Sequence, residues 1–366
     1  MQGVEIQYLG AAMSALADAR VSLLAQPPSA VAIPGSGKED TKLFDSVAEQ
    51  AIATRLQEFN SRCAVITEEK GVIGEKMRGS ILSYIVDPFD RSRPFVRAVG
   101  TALASLDPTK CKTIGDVIGS VGFTMAHLEA PFASITCIRD GDIIFNVMVN
   151  YTDGSLYVAC QKFVGSGSIH DTPTPADLFE KGKRLRFVPR SGQRLICFTG
   201  DPDKDKEPPV NEHSSKYMQI LHNLGFSGFD RVKLSNPGGP ARILYLTDLY
   251  TGEDPPSLIL SNGEKVFEFL GWLAFAIYSR DLAVFELYSE GFEARGNILQ
   301  APPPNYSAFV KDVESKKVIL NIDRILDLDP PGHYRSALVV TNVHSTVACA
   351  TMRAKKKSRE IYFPSE

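Results

Sequence analysis

Four carboxylates lie close together in the sequence, each just after an apolar run. The pair Glu68–Glu69 follows an apolar run at 64–67, and Asp87 and Asp90 follow a second one at 81–86. If both runs are neighbouring strands, Glu68, Asp87 and Asp90 lie at one edge of a sheet. Carboxylates that close repel one another, and a hard divalent cation such as Mg²⁺ or Mn²⁺ compensates this repulsion because it takes oxygen ligands. The spacing therefore predicts a divalent-metal site.

The residues after the second run add the groups that handle phosphate. Pro88 stiffens a turn, and Pro94 stands where proline suits the first turn of a helix. A helix that begins near Ser92 directs its N–H groups toward the metal site, and helix N-termini bind phosphate. The Ser92 hydroxyl can hold a water. Together these parts predict metal-assisted phosphoester hydrolysis. The alternative interpretation is an Asp-Pro turn followed by a capped helix, with no chemistry.

The acidic pair followed by Asp87-Pro-Phe-Asp-Arg-Ser92 resembles the signature of the inositol monophosphatase and fructose-1,6-bisphosphatase superfamily. Its members are Mg²⁺-dependent, lithium-sensitive sugar phosphatases. Asp45-Ser-Val-Ala-Glu49 resembles the family's Asp-x-x-x-Glu, and the apolar runs and turns over 133–160 resemble its antiparallel meander. The resemblance covers nearly the whole chain. It implies an α+β fold with layers in the order α-β-α-β-α and with two domains. Residues 1–190 would form an α+β domain with an antiparallel sheet and the metal motif, and 191–366 an α/β domain that completes the site.

The resemblance also implies roles for individual residues. The metal ligands would be Glu68, Asp87, Asp90 and the carbonyl of Phe89, with Mg²⁺ or Mn²⁺ as the cofactor. The groups that activate the attacking water would be Ser92, Asp45 and Glu69. The backbone N–H groups of Arg91 and Ser92 would face the phosphate.

The last metal ligand would come from the second half of the chain, where the Trp-Asp pair of inositol monophosphatases is absent. Glu268, at the start of a predicted helix, is the preferred candidate, and Asp281 and Glu264 remain open. Gly238 and Gly239 precede a predicted apolar helix at 241–249 and would line the substrate pocket; a structural turn is the other interpretation.

Arg91 stands where the family has glycine. Three interpretations follow: the arginine impairs the backbone geometry of the site, it leaves phosphate binding intact, or its guanidinium clamps a second phosphate or a carboxylate of the substrate. The predicted function is a Mg²⁺-dependent phosphomonoesterase that acts on a small phosphorylated sugar or inositol through a metal-activated water. The alternative is a catalytically weakened family member that binds a phosphorylated ligand or a partner.

Composition is that of a soluble enzyme. The 366 residues carry a net charge of −3 and are 43% hydrophobic, which gives no reason to expect binding to nucleic acid or a membrane. Six scattered cysteines without a C-x-x-C motif predict reduced core thiols. No signal peptide is evident, so we expect a cytoplasmic protein whose partner is a small phosphate ester, assembled as a homodimer. Helices are predicted at 4–26 and 42–60, the second with Leu43, Val47, Leu56 and Phe59 on one face.

Overall fold

The structure is a computed structural model of the chain. It describes residues 3–30, 41–68, 70–73, 82–140, 142–187, 194–198, 230–232, 240–250, 258–279, 282–286, 335–342 and 359–362.

Two long helices form the outermost layer. Helix α1 (Gly3–Leu24) packs against α2 (Thr41–Phe59), and both contact the sheet beneath them. The predicted helices are confirmed; of the face predicted for α2, Leu56 belongs to the buried stripe but Leu43 and Phe59 do not. Its buried side chains are Phe44, Asp45, Ala48, Glu49, Ile52, Ala53 and Leu56, whereas Leu43 and Phe59 are exposed. The buried stripe includes two carboxylates, which a purely apolar pattern cannot show.

The first sheet contains eight strands in the order β2-β1-β3-β4-β5-β6-β7-β8. Their bounds are β1 Ala64–Thr67, β2 Gly71–Ile73, β3 Leu82–Asp90, β4 Phe132–Arg139, β5 Asp142–Asn150, β6 Ser155–Cys160, β7 Phe163–Ser168 and β8 Lys183–Arg184. Only the β1–β3 pair is parallel; the other pairs are antiparallel, with the meander from β3 to β8 as predicted.

Three shorter helices connect or border these strands. They are α3 (Ser92–Leu103), α4 (Ile114–Ile118) and α5 (Pro175–Lys181). Helix α3 buries Phe95, Val99 and Ala102, which recur at the spacing of one helix face. Two 3₁₀ turns, at His127–Glu129 and Pro240–Leu246, pack against each other.

A second sheet and a helix lie on the other side of the first sheet. The sheet has the order β10-β9-β11-β13-β12-β14. Its strands are β9 Arg194–Phe198, β10 Asp230–Val232, β11 Leu258–Lys265, β12 Leu282–Glu286, β13 Arg335–Asn342 and β14 Arg359–Tyr362. Helix α6 (Val266–Ser279) contacts strands of both sheets. Over the described residues the layers thus run helices, sheet, helix, sheet, which confirms the predicted α+β fold class. The last helical layer of the predicted α-β-α-β-α order and the division into domains at residue 190 stay predictions.

The first sheet separates two apolar cores. One lies under α1 and α2 and includes Leu16, Ile52 and Phe95; the other lies under α6 and includes Phe132, Trp272 and Phe275. The four cysteines that the structure describes with their side chains, Cys63, Cys111, Cys137 and Cys160, are buried and free, as the composition predicts. Over the described ranges, no helix is both long and apolar enough to cross a bilayer.

Candidate active site

The acidic motifs meet because β1 and β3 run side by side in parallel. Thr67 at the end of β1 pairs with Val86 of β3, so the next residues of each strand, Glu68 and Asp87, are neighbours. Asp87 is buried, with 2% of its surface exposed, and Glu68 is half-buried. Parallel strands present their carboxyl ends at the same edge of a sheet, and ligand sites form at such edges. The predicted side-by-side arrangement of the two apolar strands is therefore confirmed, while the metal site stays a prediction.

A β-bulge at the end of β3 sets the relation between the two aspartates. Asp87 pairs with Ser134 and Asp90 pairs with Phe132, so three steps along β3 match two along β4. In a regular strand, residues three positions apart point to opposite faces. The extra residue of the bulge restores both aspartates to the face that Ser134 and Phe132 share. Pro88 lies within this bulge, where the absence of a backbone N–H removes no hydrogen bond between the strands.

Tyr151 holds the bulge in place, and sequence reasoning missed it. Its hydroxyl donates a hydrogen bond of 2.7 Å to the carbonyl of Pro88, and its ring stacks on Phe89 at 5.1 Å. Burial, followed by the negative charges of Asp87 and Asp45, raises the pKa of Tyr151 well above its usual value. The phenol therefore stays protonated and remains a donor. No short motif marks this tyrosine, because it reaches the site from the end of β5.

Helix α2 contributes the two carboxylates of its buried stripe. Asp45, 8% exposed, lies close enough to act electrostatically on Tyr151, as Asp87 does. Glu49 is fully buried and accepts a 3.1 Å hydrogen bond from the backbone N–H of Lys70. It also forms an ion pair with the Lys70 ammonium group at 3.2 Å. Glu49 thereby anchors the turn that follows β1, which carries Glu68. Asp45 thus reaches the site, and Glu49 orients one of its loops.

Helix α3 begins at the end of the motif, as predicted. Its N-cap residue is Arg91, whose φ of 68° and ψ of 34° are left-handed. The Arg91 side chain makes no capping hydrogen bond to the first turn. Ser92 is the first helical residue and is half-buried. A left-handed backbone is strained for any residue with a Cβ, which is the physical reason for a glycine preference here.

The donor set fits a hard divalent cation in its chemistry, since it consists of carboxylates and one backbone carbonyl. Within the part of the chain that the structure describes, however, no three His, Cys, Asp or Glu side chains are grouped as metal ligands. Other predicted site residues lie outside the described residues: Glu69, Asp281, Gly238 and Gly239 entirely, and Glu264 and Glu268 in their side chains. The backbone of Glu268 lies in the first turn of α6.

Comparison with solved structures identifies the fold. Inositol monophosphatase-II from Staphylococcus aureus matches 95% of this chain and 93% of its own with a TM-score of 0.52 and 12% identity. The inositol monophosphatase from Anabaena matches 97% of both chains with a TM-score of 0.50 and 10% identity. The chain has the inositol monophosphatase fold. No protein-family model matches the sequence, and no curated protein matches it.

The inositol monophosphatase fold accounts for the observed order of helical and sheet layers. Of the motif residues, Glu68 and Asp87 follow the same end of the β1–β3 pair, and Asp90 ends β3 directly before α3. Asp45 lies close enough to act electrostatically on Tyr151. Arg91 and Ser92 lie at that N-terminus.

Proposed function

We propose that the protein is a Mg²⁺-dependent phosphomonoesterase that acts on a small phosphorylated sugar or inositol. The observation that supports this proposal is the parallel register of β1 and β3, in which Glu68 and Asp87 directly follow the paired residues Thr67 and Val86. Carboxylates beside a helix N-terminus suit a divalent cation and a phosphate held together.

Glu68, Asp87, Asp90 and the Phe89 carbonyl would hold the cation, with Glu268 as the proposed ligand from α6. When bound, Mg²⁺ would supply Lewis-acid chemistry toward the phosphoryl oxygens and lower the pKa of water. Phosphate binding and orientation of the attacking water use groups of the protein itself. The N–H groups at the start of α3 bind the phosphate oxygens, and Asp45 with the Ser92 hydroxyl orients a water for in-line attack. Glu69 is a further proposed acid–base group.

Two supports keep this arrangement in position. The Tyr151 hydroxyl fixes the Pro88 carbonyl and thereby the peptide that leads to Phe89. Glu49 fixes the turn after β1 through Lys70. Gly238 and Gly239 are proposed to line the part of the pocket that faces the sugar.

A screen of phosphorylated sugars and inositols for Mg²⁺-dependent phosphate release tests the proposal. Asp90→Asn should lower kcat by at least two orders of magnitude without unfolding the protein, because it removes one anionic ligand. Millimolar Mg²⁺ should raise the melting temperature of the wild type and not that of the variant. Asp18→Asn is a matched control, since Asp18 forms an exposed ion pair with Arg55 on the helical layer. No turnover together with no thermal response to Mg²⁺ or Mn²⁺ would refute the proposal.

A catalytically weakened protein that binds a phosphorylated ligand or a partner is the second candidate. The observation that favours it is the left-handed backbone of Arg91, a residue with a large side chain at the proposed phosphate site. This candidate predicts that inositol or sugar phosphates bind, as measured by calorimetry, while phosphate release stays at the background rate. Turnover in the same preparation would exclude it.

We also propose that the protein is a cytoplasmic homodimer whose partner is a small phosphate ester, and that it binds neither nucleic acid nor membranes. Sedimentation at micromolar concentration measures the oligomeric state directly.

A further inference from the structure

Tyr151, whose side chain holds the bulge of β3, lies one residue beyond the end of β5. Its backbone N–H donates to the carbonyl of Pro131 at 3.0 Å. Asn150 forms the last pair of β5 with β4, so the Tyr151 carbonyl needs a donor from elsewhere. The orientation of this tyrosine therefore depends on the group that bonds to its carbonyl.

Arg20 supplies that donor from the helical layer. Its Nε atom donates to the Tyr151 carbonyl at 3.0 Å, and its Nη2 atom donates to the Thr152 carbonyl at 3.1 Å. Burial lowers the pKa of Arg20, and the negative charge of Asp153 opposes this effect. A guanidinium stays charged in proteins, so both bonds are charge-assisted and stronger than bonds between neutral groups. One side chain of α1 thus holds two consecutive carbonyls of the β5–β6 turn.

Tyr151 connects this clamp to the acidic motif. Its hydroxyl donates to the Pro88 carbonyl at 2.7 Å, and its ring stacks on Phe89. Both partners belong to the bulge of β3. A rotation of the Tyr151 backbone moves the hydroxyl further than it moves Cα, because the hydroxyl is the atom of the side chain most distant from the backbone. The two bonds from Arg20 therefore oppose a displacement of the bulge.

We infer that Arg20 is a positioning residue for the acidic motif at the end of β3 and that it acts through Tyr151. For its effect on catalysis this inference rests on the proposed function, in which the Phe89 carbonyl and Asp90 hold the cation. Removing a residue that supports metal ligands lowers metal affinity or activity by about 10- to 100-fold. Arg20→Met should raise the Kd of Mn²⁺, measured by electron paramagnetic resonance, by about 10-fold. The KM of the ester should change less, because the N–H groups at the start of α3 are retained.

Hydrogen exchange in EDTA tests the positioning without metal or turnover. Mass spectrometry compares the segment 86–92 in the wild type and in Arg20→Met. Loss of the two bonds should accelerate exchange of this segment by about 5- to 10-fold. If Arg20 only holds the β5–β6 turn, exchange will increase at 150–155 and stay unchanged at 86–92, and that result overturns the inference.

A double variant shows whether the effect passes through Tyr151. Tyr151→Phe should accelerate exchange at 86–92 by itself, and the addition of Arg20→Met should change the rate little further, because the connection is already broken. Additive effects would mean that Arg20 reaches the motif by another route and would overturn the inference. Arg20→Lys keeps the charge and a single donor nitrogen, so it should give an intermediate rate, and it replaces Arg20→Met in the test if that variant does not fold.

Arg139→Met is the matched control. Arg139 also ties the helical layer to the first sheet, through a 2.7 Å ion pair with Glu5 of α1. It lies at the opposite end of β4 from Phe132, which pairs with Asp90. This variant should leave exchange at 86–92 and the affinity for Mn²⁺ unchanged; equal effects of Arg139→Met and Arg20→Met would show a general loosening of the helical layer and overturn the inference. If exchange at 86–92 depends on Arg20 and Tyr151 in a protein that neither binds Mn²⁺ nor releases phosphate, the positioning is upheld and the proposed phosphatase activity is refuted.

Discussion

The structure holds two described non-glycine residues in the left-handed region, and they occupy very different places. Arg91 has φ 68° and lies between the bulge of β3 and α3, beside the acidic motif. Asp140 has φ 54° and lies at the exposed end of the β4–β5 hairpin. Aspartate tolerates this conformation because its short polar side chain bonds locally, whereas a long side chain such as arginine gains no such relief.

The difference shows where the fold accepts strain. At the hairpin the turn residue suits its backbone, so little free energy is lost. At Arg91 the backbone strain is combined with a buried guanidinium, and both oppose stability. Residues that oppose stability in this way persist where they serve binding or catalysis. The contrast thus supports a functional role for Arg91 and a purely structural one for Asp140.

The largest predicted loss of stability and activity comes from removing the hydroxyl of Tyr151, which holds the bulge next to Arg91. Tyr151→Phe leaves the buried carbonyl of Pro88 without its 2.7 Å hydrogen bond and should cost about 1–3 kcal/mol in the free energy of unfolding. It should also lower kcat, because the Phe89 carbonyl loses its support. Urea denaturation and phosphate release measure the two consequences.

Tyr278→Phe is the control for this prediction, since it removes an equivalent bond near the hairpin. The Tyr278 hydroxyl donates to the carbonyl of Ile143 at 2.5 Å, one residue past the start of β5. It should lower stability by a similar amount and leave kcat unchanged. If both variants lose stability and activity to the same degree, Tyr151 has no special part in positioning the site.

The second prediction compares the two left-handed residues directly. Arg91→Gly relieves the backbone strain and removes the buried guanidinium, so it should raise the free energy of unfolding by about 1 kcal/mol or more. Asp140→Gly relieves a milder strain in an exposed turn and should change stability by less than about 0.5 kcal/mol. Both are measured from denaturation midpoints in the absence of divalent ions. A loss of stability in Arg91→Gly would mean that the attraction of Asp90 and Glu129 outweighs the strain.

The elements around the site could be predicted from the sequence because their signals are local. The apolar runs before Glu68 and Asp87 and the proline at position 94 indicate two strands and a helix start, and the structure has all three. The layered fold followed from the resemblance of the motif. Local patterns of this kind carry over because strand and helix periods act on neighbouring residues.

The bulge and its support could not be predicted, because they depend on contacts between distant residues. Nothing near Asp87 indicates that Tyr151, 64 positions later, holds Pro88. The bulge that aligns Asp87 with Asp90 is a property of the pairing with β4, not of β3 alone. The burial of Glu49 on α2 could not be predicted for the same reason, since the group that compensates its charge is Lys70 of another loop. The roles of the site residues stay predictions.

The smallest predicted effect concerns a third turn, between β5 and β6, whose carboxylate is satisfied locally. Asp153 accepts from His127 at 2.8 Å and from the Ser155 backbone at 2.8 Å, and the Nε2 atom of His127 bonds to the Tyr157 hydroxyl. Burial acts to raise the pKa of Asp153, but these hydrogen bonds outweigh it and lower the pKa below its usual value.

A depressed pKa means that the unfolded chain takes up the proton first. The contribution of Asp153 to stability is therefore complete above its unfolded pKa of about 3.9 and is lost as the pH falls through the lower folded value. Because both side chains are more than a third exposed, the effect should be below about 1 kcal/mol. Denaturation midpoints between about pH 5 and about pH 3 should fall less steeply in Asp153→Asn than in the wild type, and His127→Gln should lie between them. Identical slopes in all three proteins would show that this turn, unlike the bulge at Arg91, leaves the acid stability of the fold unaffected.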